Sequence, residues 1–333
     1  EVTQRLPLMK VSDKLTYLAE VIVEQALILA WRDLTAKYGN PGRAEVAETS
    51  SVTQLPADCG FAVLGYGKLG GIELGHGSDL DMVFVYDAPA QGVTDGKRSI
   101  DNVVFYTRLG QRIIHILDTR TAMGQLYEVD MRLRPSGESG MLSATFKGFQ
   151  DYHENEAWTW EHQALVRARF VAGDAAVGKR CDEVRCAVLS REREPESLLQ
   201  DVVGMRKKMR DHLLPTDAAE KGEFHLKHGY GGIVDIEFMM QYAVLAWSHR
   251  YPNLTRWSDN IRILETLQQE GLFTVQDSQS LIAAYIALRS VAHQLSLQQQ
   301  EGVIDDDQLV SEREAVQAKW KKLLGAQNTE SGG

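Results

Sequence analysis

Three aspartates and a glycine-lysine pair have the residue types and the spacing to handle phosphate groups. In GSDLDMVF, Asp79 and Asp81 are two residues apart, and in a β-strand this spacing places both carboxylates on one face. Carboxylate oxygens are ligands that Mg²⁺ prefers, and a cation offsets the repulsion between two clustered acids. Ten residues separate Asp79 from Lys68, which follows Gly67. A lysine beside flexible glycines is typical of a loop that cradles phosphate.

A further strand, YEVDMRLRP, is predicted to complete this site. Its polar residues alternate with apolar ones, so one face would present Glu128, Asp130, Arg132 and Arg134. Three acids on neighbouring strands can hold two metal ions, one lowering the pKa of an attacking hydroxyl and one steadying a leaving pyrophosphate. Asp130 would serve as general base or as a ligand near the acceptor. The guanidinium groups of Arg132 and Arg134 suit triphosphate oxygens, although ordinary residues at a strand edge would give the same pattern.

The glycines do not indicate a dinucleotide site, although Gly65, Gly67 and Gly70 have the spacing of a Rossmann fingerprint. A Rossmann crossover between parallel strands needs about a dozen residues or more. Only residues 71–79 lie between Gly70 and the next predicted strand, and they contain three more glycines. We therefore interpret the glycines as a phosphate loop, with a plain tight turn as the alternative.

The elements that must position these residues follow from the hydrophobic pattern. A helix is predicted over residues 14–38, strands over 61–65, 80–87 and 126–134, and a helix over 103–119. Further helices are predicted over residues 154–170, 197–213, 233–249, 258–270, 275–299 and 308–325. The fold class is therefore α+β, with an α/β domain and its leading helix at 1–150 and an all-helical domain at 151–333.

Composition excludes several classes of protein. The 333 residues are 44% hydrophobic and 25% charged, which is ordinary for a globular protein. A net charge of -10 opposes broad binding to nucleic acid, and no apolar run is long enough to suggest a membrane span. Three cysteines at no metal or disulfide spacing favour the cytoplasm. The chain starts without methionine, so we expect either a piece of a longer protein or a trimmed chain.

Two further motifs carry weaker predictions. In EAWTWEHQALVRAR, Trp158, Leu165 and Ala168 fall on one helical stripe, which favours core packing over nucleotide stacking. In GGIVDIEF, Asp235 and Glu237 would lie in the first turn of a helix, where the helix dipole favours acids. We assign this second motif no catalytic role.

Several motifs together resemble a known family. The glycine-lysine pair followed by Asp79-Leu80-Asp81 resembles the DNA polymerase beta-like nucleotidyltransferase superfamily. More specifically, GYGKLGGIELGHGSDLDMVFVYD, YEVDMRLRPSGESGML, NEAWTWEHQALVRARFVAGD and GGIVDIEFMMQY resemble the C-terminal, adenylylating half of the glutamine synthetase adenylyltransferase family. The resemblance extends from about residue 5 to residue 325.

This resemblance implies a function and roles for the site residues. In the family, this half transfers AMP from ATP to a tyrosine hydroxyl of glutamine synthetase and so regulates nitrogen assimilation. Matched by motif, the metal-binding and catalytic acids are Asp79, Asp81 and Asp130, and the residues of the phosphate-side loop are Gly67, Lys68 and Ser78. The resemblance also implies Mg²⁺ as cofactor, and the PII signal protein and glutamine as effectors of the full-length enzyme. The alternatives are uridylyl transfer to a nitrogen-signalling protein and a non-catalytic module that senses a nucleotide or a partner.

Overall fold

The computed structural model describes residues 6–42, 55, 58–89, 91–214 and 222–325. Contacts divide the chain into two compact units. The sheet unit comprises residues 13–157 and 167–188, and the helical unit comprises the described parts of 1–12, 158–166 and 189–333. A domain boundary between residues 150 and 151 stays a prediction.

Helices and strands alternate in the first part of the described chain, and helices predominate in the second. In chain order they are α1 (Leu8–Tyr38), β1 (Phe61–Gly65), α2 (Gly67–Gly70), β2 (Leu80–Tyr86), α3 (Asn102–Asp118), β3 (Val129–Asp130), β4 (Ser143–Thr145), α4 (Phe146–Asn155), α5 (Thr159–Val166), β5 (Arg169–Gly173), α6 (Ala175–Leu189), α7 (Pro195–Leu213), β6 (Glu223–His225), α8 (Ile233–Trp247), α9 (Asn260–Gln269), α10 (Val275–Leu297), β7 (Val303–Asp305) and α11 (Val310–Leu324).

The sheet unit is built on a mixed β-sheet. Strand β1 pairs antiparallel with β2 on one side and with β5 on the other. Strand β3 pairs parallel with the start of β2, and β4 pairs parallel with its end. Helix α3 supplies the long connection that parallel pairing requires between β2 and these two strands. Mixed pairing of this kind, together with the helices, confirms the predicted α+β class.

Alternation along β2 explains why Asp81 lies away from the main core. Leu80, Met82 and Phe84 are fully buried in a cluster that also contains apolar residues of α1 and α3. Asp81 lies between two of them in sequence, so its side chain leaves the sheet on the other face. The period-two pattern therefore places a half-buried carboxylate at the start of a strand that is otherwise buried.

Predictions for the sheet unit are confirmed for some elements and wrong for others. The leading helix ends at Tyr38 as predicted, and β1 and β2 occupy the predicted segments. The prediction of a long strand over residues 126–134 is wrong, because β3 contains only two residues and is followed by a turn. The continuous helix over residues 154–170 is also wrong. Helix α5 ends at Val166, and the following residues form β5 beside β1.

The helical unit confirms the five predicted helices that follow residue 195, which are α7, α8, α9, α10 and α11. It also contains an antiparallel pair of short strands, β6 and β7, which the sequence pattern did not predict. The prediction that Trp158 packs in the core is wrong, since 72% of the residue is exposed. Within the described residues, no helix has both the length and the apolar character that crossing a bilayer requires.

The GGIVDIEF motif has a structural role in the helical unit. The Asp235 carboxylate is buried at the start of α8 and accepts hydrogen bonds from Arg206 Nε and Arg210 Nη2, both at 2.6 Å. It also accepts one from the Gly231 N–H at 2.8 Å. Removing one partner of a buried ion pair costs about 3–5 kcal/mol, so this cluster is a strong constraint on the loop before α8.

Candidate active site

Parallel pairing of β2 with β3 brings the three predicted acids together. The register sets Asp81 directly opposite Asp130, and Asp79 lies just before β2 begins. One carboxylate oxygen from each residue lies within 4.8 Å of the others. Asp79 is exposed, and Asp81 and Asp130 are half-buried. The sequence therefore predicted both the members of this cluster and their convergence.

The cluster carries excess negative charge. Burial, and after it the neighbouring carboxylates Asp79 and Asp130, raise the pKa of Asp81 to about 6. Lys68 and Arg167 act in the opposite direction. A group of hard, crowded oxygen ligands is the donor set that divalent cations such as Mg²⁺ bind. These three residues therefore fit the divalent metal that the family resemblance implies.

Asp130 also has a close cationic partner. The Arg132 backbone N–H donates to its Oδ1 at 2.8 Å, and the Arg132 guanidinium donates to Oδ2 through Nε at 2.8 Å and Nη2 at 2.5 Å. Mainly through these bonds, Arg132 lowers the pKa of Asp130. Arg132 is therefore beside the carboxylates as predicted, but it follows the strand in a turn instead of alternating along it.

Arg134 has a different position from Arg132. Its guanidinium donates to the carbonyl of Met131 at 2.8 Å and to the carbonyl of Glu138 at 3.1 Å. It is thus engaged in holding together the PSGESG loop that follows β3. The structure places Arg132 at the carboxylates and Arg134 within this loop.

Gly67 lies where the glycine loop meets the carboxylates. It is the first residue of α2 and has a φ of +51°, in the left-handed region that favours glycine. A Cβ built at this position would overlap the Oδ2 atom of Asp81. Gly67 is therefore needed both for its backbone conformation and for its close approach to the Asp81 carboxylate.

Lys68 and Ser78 join the loop to the acid cluster. The exposed Lys68 ammonium is 3.5 Å from Ser78 Oγ, which also accepts a hydrogen bond from the Gly75 N–H at 3.1 Å. Ser78 immediately precedes Asp79 in the chain. The structure thus brings the predicted phosphate-side residues Gly67, Lys68 and Ser78 to the same edge of the sheet as the carboxylates.

The sequence pattern did not predict two arginines that lie at this site. Arg167 donates to the Gly67 carbonyl at 3.1 Å, and Arg169 donates to the carbonyls of Leu69 and Gly70 at 3.1 and 3.2 Å. Both arginines fall within the helix that was predicted over residues 154–170, off the stripe that contains Trp158. The signal in VRARFVAGD was the alternation of arginine with apolar residues, which is typical of a strand whose polar face meets other polar groups.

A mixed sheet with a glycine-lysine loop and three converging acids is the arrangement that we predicted for a nucleotidyltransferase. Comparison with known families agrees, because the profile of the glutamate-ammonia ligase adenylyltransferase family matches residues 1–184. The chain belongs to this family. The profile of the GlnD PII-uridylyltransferase family matches residues 204–331, which lie in the second half of the chain.

Individual relatives carry a name that combines two activities. Proteins from Pseudomonas putida, Nitrosococcus oceani and Pseudomonas aeruginosa are 51%, 52% and 50% identical to the chain over 97% of its length. Each of them is a bifunctional glutamine synthetase adenylyltransferase/adenylyl-removing enzyme. The chain spans about a third of the length of these relatives.

Proposed function

We propose that this chain transfers AMP from ATP to a tyrosine hydroxyl of glutamine synthetase, with Mg²⁺ as the cofactor. The observation that carries the proposal is the convergence of Asp79, Asp81 and Asp130 beside the glycine loop. The names of the relatives support the choice of nucleotide transfer and of protein substrate.

In this proposal, each residue at the site has a defined task. The three carboxylates hold the metal, which when bound neutralises triphosphate charge and lowers the pKa of the attacking hydroxyl. Lys68 adds positive charge at the phosphate side, with Gly67 and Ser78 shaping the loop around it. Arg132 and Arg134 are proposed to support the triphosphate, Arg132 from its position beside Asp130 and Arg134 through the loop that it holds.

The reaction is a single displacement at the α-phosphorus. The tyrosine oxygen forms a bond to this phosphorus as the bond to the bridging oxygen of pyrophosphate breaks, and the phenolic proton passes to a base. We propose Asp130 as that base, because its carboxylate lies in the acid cluster and is ionised at neutral pH.

Uridylyl transfer to a nitrogen-signalling protein is the second candidate function. It is favoured by the match of residues 204–331 to the uridylyltransferase family, but this segment contains none of the three clustered acids. A module that only senses nucleotide is the third candidate. It would not need three converging carboxylates, so the cluster argues against it.

The expected setting of the reaction follows from the resemblance and from composition. We propose that the PII signal protein and glutamine act as effectors of the full-length enzyme, and that the protein works in the cytoplasm. The net charge of -10 supports a protein substrate over nucleic acid.

A labelled-nucleotide assay tests the proposal and its rivals together. The chain is incubated with Mg²⁺ and α-labelled ATP or UTP, with purified glutamine synthetase or PII protein as acceptor. We expect label from ATP on glutamine synthetase, and none when the acceptor tyrosine is replaced with phenylalanine. Label from UTP on PII would replace the proposal with the second candidate. Absence of label in every arm, with Mg²⁺ and the effectors present, would favour the sensing module.

A further inference from the structure

Two arginines hold the carbonyl end of the short helix α2. Arg167 reaches the carbonyl of Gly67, while Arg169 reaches those of Leu69 and Gly70. Each arginine also pairs with a carboxylate, Arg167 with Glu73 at 2.5 Å and Arg169 with Glu20 of α1. All of these residues belong to the sheet unit.

The pair formed by Arg167 and Glu73 is deeply buried. The side chains are 5% and 1% exposed, so bulk water screens their attraction very little. Glu73 is itself fixed to the same turn, because its backbone N–H donates to the Lys68 carbonyl at 2.8 Å. The ion pair thus closes a ring of contacts that starts and ends in the glycine loop.

The glycine loop packs closely against Arg167. A Cβ on Gly70 would overlap the backbone carbonyl of Arg167, and a Cβ on Gly71 would crowd its guanidinium. Gly70, which belongs to the fingerprint-like spacing, and the adjacent Gly71 are therefore both required for close packing against this arginine. Because they have no Cβ, these glycines allow the loop to contact Arg167.

Fixing the carbonyls also fixes the opposite end of the turn. N–H and C=O groups in a helical turn point in opposite directions along its axis. With the carbonyls held by the arginines, the start of α2 faces the other way, where Gly67 lies against the Asp81 carboxylate. The same contacts therefore set the distance between the loop and the acid cluster.

We propose that Arg167, through its ion pair with Glu73, is a positioning residue that sets the glycine loop against Asp81 for binding of the nucleotide phosphates. Arg169 secures the same turn from the side of α1. Arg167 acts through the loop and does not itself touch the phosphates. This inference rests on the proposed function, since it assigns the loop to the nucleotide.

The test compares Arg167→Met and Glu73→Gln with the control Arg185→Met. Arg185 is an equally buried arginine on α6 of the same unit, with Asp182 as its ion-pair partner. The measurements are kcat and KM for ATP, the Kd of a non-hydrolysable ATP analogue with Mg²⁺, and amide hydrogen exchange in residues 66–74. Melting curves define a temperature at which all variants are folded.

We expect kcat/KM for ATP to fall on the order of 10²-fold in Arg167→Met, the loss that a misplacement of about 1 Å produces. Analogue binding should weaken, and exchange in the loop should increase. Glu73→Gln should show the same pattern to a smaller extent, and Arg167→Lys should recover part of the loss. In Arg185→Met, only the melting temperature should change.

Two outcomes would overturn the inference. One is unchanged analogue binding and loop exchange in Arg167→Met. The other is an equal loss in Arg185→Met, which would reduce Arg167 to a general contributor to stability. Failure of the proposed function is a separate result, because the unsubstituted chain would then transfer no AMP, whereas loop exchange in the variants would still report on the ion pair.

Discussion

Replacing Asp81 with asparagine should abolish AMP transfer and at the same time stabilise the fold. The substitution keeps the side-chain volume and removes one charge from a cluster whose carboxylate oxygens lie within 4.8 Å of one another. Two like unit charges at this separation repel by about 3.5 kcal/mol at an effective dielectric constant of about 20. Asp81 is half-buried, so this repulsion is only partly screened.

Nearby cations reduce the gain in stability that is expected from removing the Asp81 charge. Arg132 neutralises Asp130, and Lys68 and Arg167 attract Asp81. We therefore expect the free energy of unfolding to rise by about 1–2 kcal/mol, less than the bare repulsion. In a unit of this size the melting temperature should then rise by about 2–8 °C.

Calorimetry in metal-free buffer measures the stability change, and the labelled-ATP assay measures transfer. Added Mg²⁺ should raise the melting temperature of the original chain more than that of Asp81→Asn, because binding stabilises only a fold that contains the complete site. Asp87→Asn is the matched control. It removes an acid of the same unit that pairs with Arg180, and it should leave transfer intact without raising stability. A lower melting temperature in Asp81→Asn, or transfer near the original rate, would refute the assigned role of the cluster.

Four other predictions follow from the same structure. Lys68→Ala should lower kcat/KM for ATP roughly ten- to a hundredfold, the loss of a charge-assisted contact of about 1.5–3 kcal/mol, and an unchanged value would make Lys68 a solvated loop residue. Gly67→Ala should cost about 1–3 kcal/mol of stability and weaken Mg²⁺ binding, because a left-handed backbone and a Cβ against Asp81 are both unfavourable; calorimetry and metal titration measure the two effects. Burial and neighbouring cations lower the pKa of His228 to about 4, so the unfolded chain binds a proton between about pH 6.5 and 4 that the folded chain does not. The free energy of unfolding should thus fall by about 1–2 kcal/mol as pH drops through this window, and urea titrations should show a shallower fall in His228→Gln. Finally, the chain should attach AMP but not remove it, so phosphate-dependent ADP release from adenylylated glutamine synthetase that Asp79→Asn eliminates would contradict the prediction.

Sequence patterns predicted the three acids because each lies in or beside a local run of alternating residues, although pairing of β2 with β3 is what brings them together. Asp79 and Asp81 follow the period of one strand, and Asp130 lies in a second run of alternating residues. The short segment between Gly70 and the strand that follows likewise excluded a Rossmann crossover without any tertiary information. What these patterns could not give was the length of β3, which ends where the Arg132 N–H donates to the Asp130 side chain instead of to a neighbouring strand.

The missed strand β5 explains why the sequence did not predict the contribution of Arg167 and Arg169 to the site. Its five residues include Ala172 and Gly173, and its two larger apolar residues, Phe170 and Val171, are only half-buried, so the local pattern does not separate it from the end of a helix. Pairing with β1 decides the outcome, and this contact is distant in the chain. The positions of Arg167 and Arg169 depend on that pairing. Their contacts with the glycine loop could therefore not be predicted from the local sequence.

The placement of β5 also has a consequence for synthesis of the protein. Arg167 and Gly67 are 100 positions apart, so a nascent chain cannot secure its glycine loop until the ribosome has released the segment through Gly173. Until then β1 presents an unpaired edge, and exposed edges promote pairing between chains. A fragment ending at residue 150 would retain all three clustered acids yet keep that edge open permanently. Such a fragment should aggregate, whereas one that extends through α6 should remain dispersed.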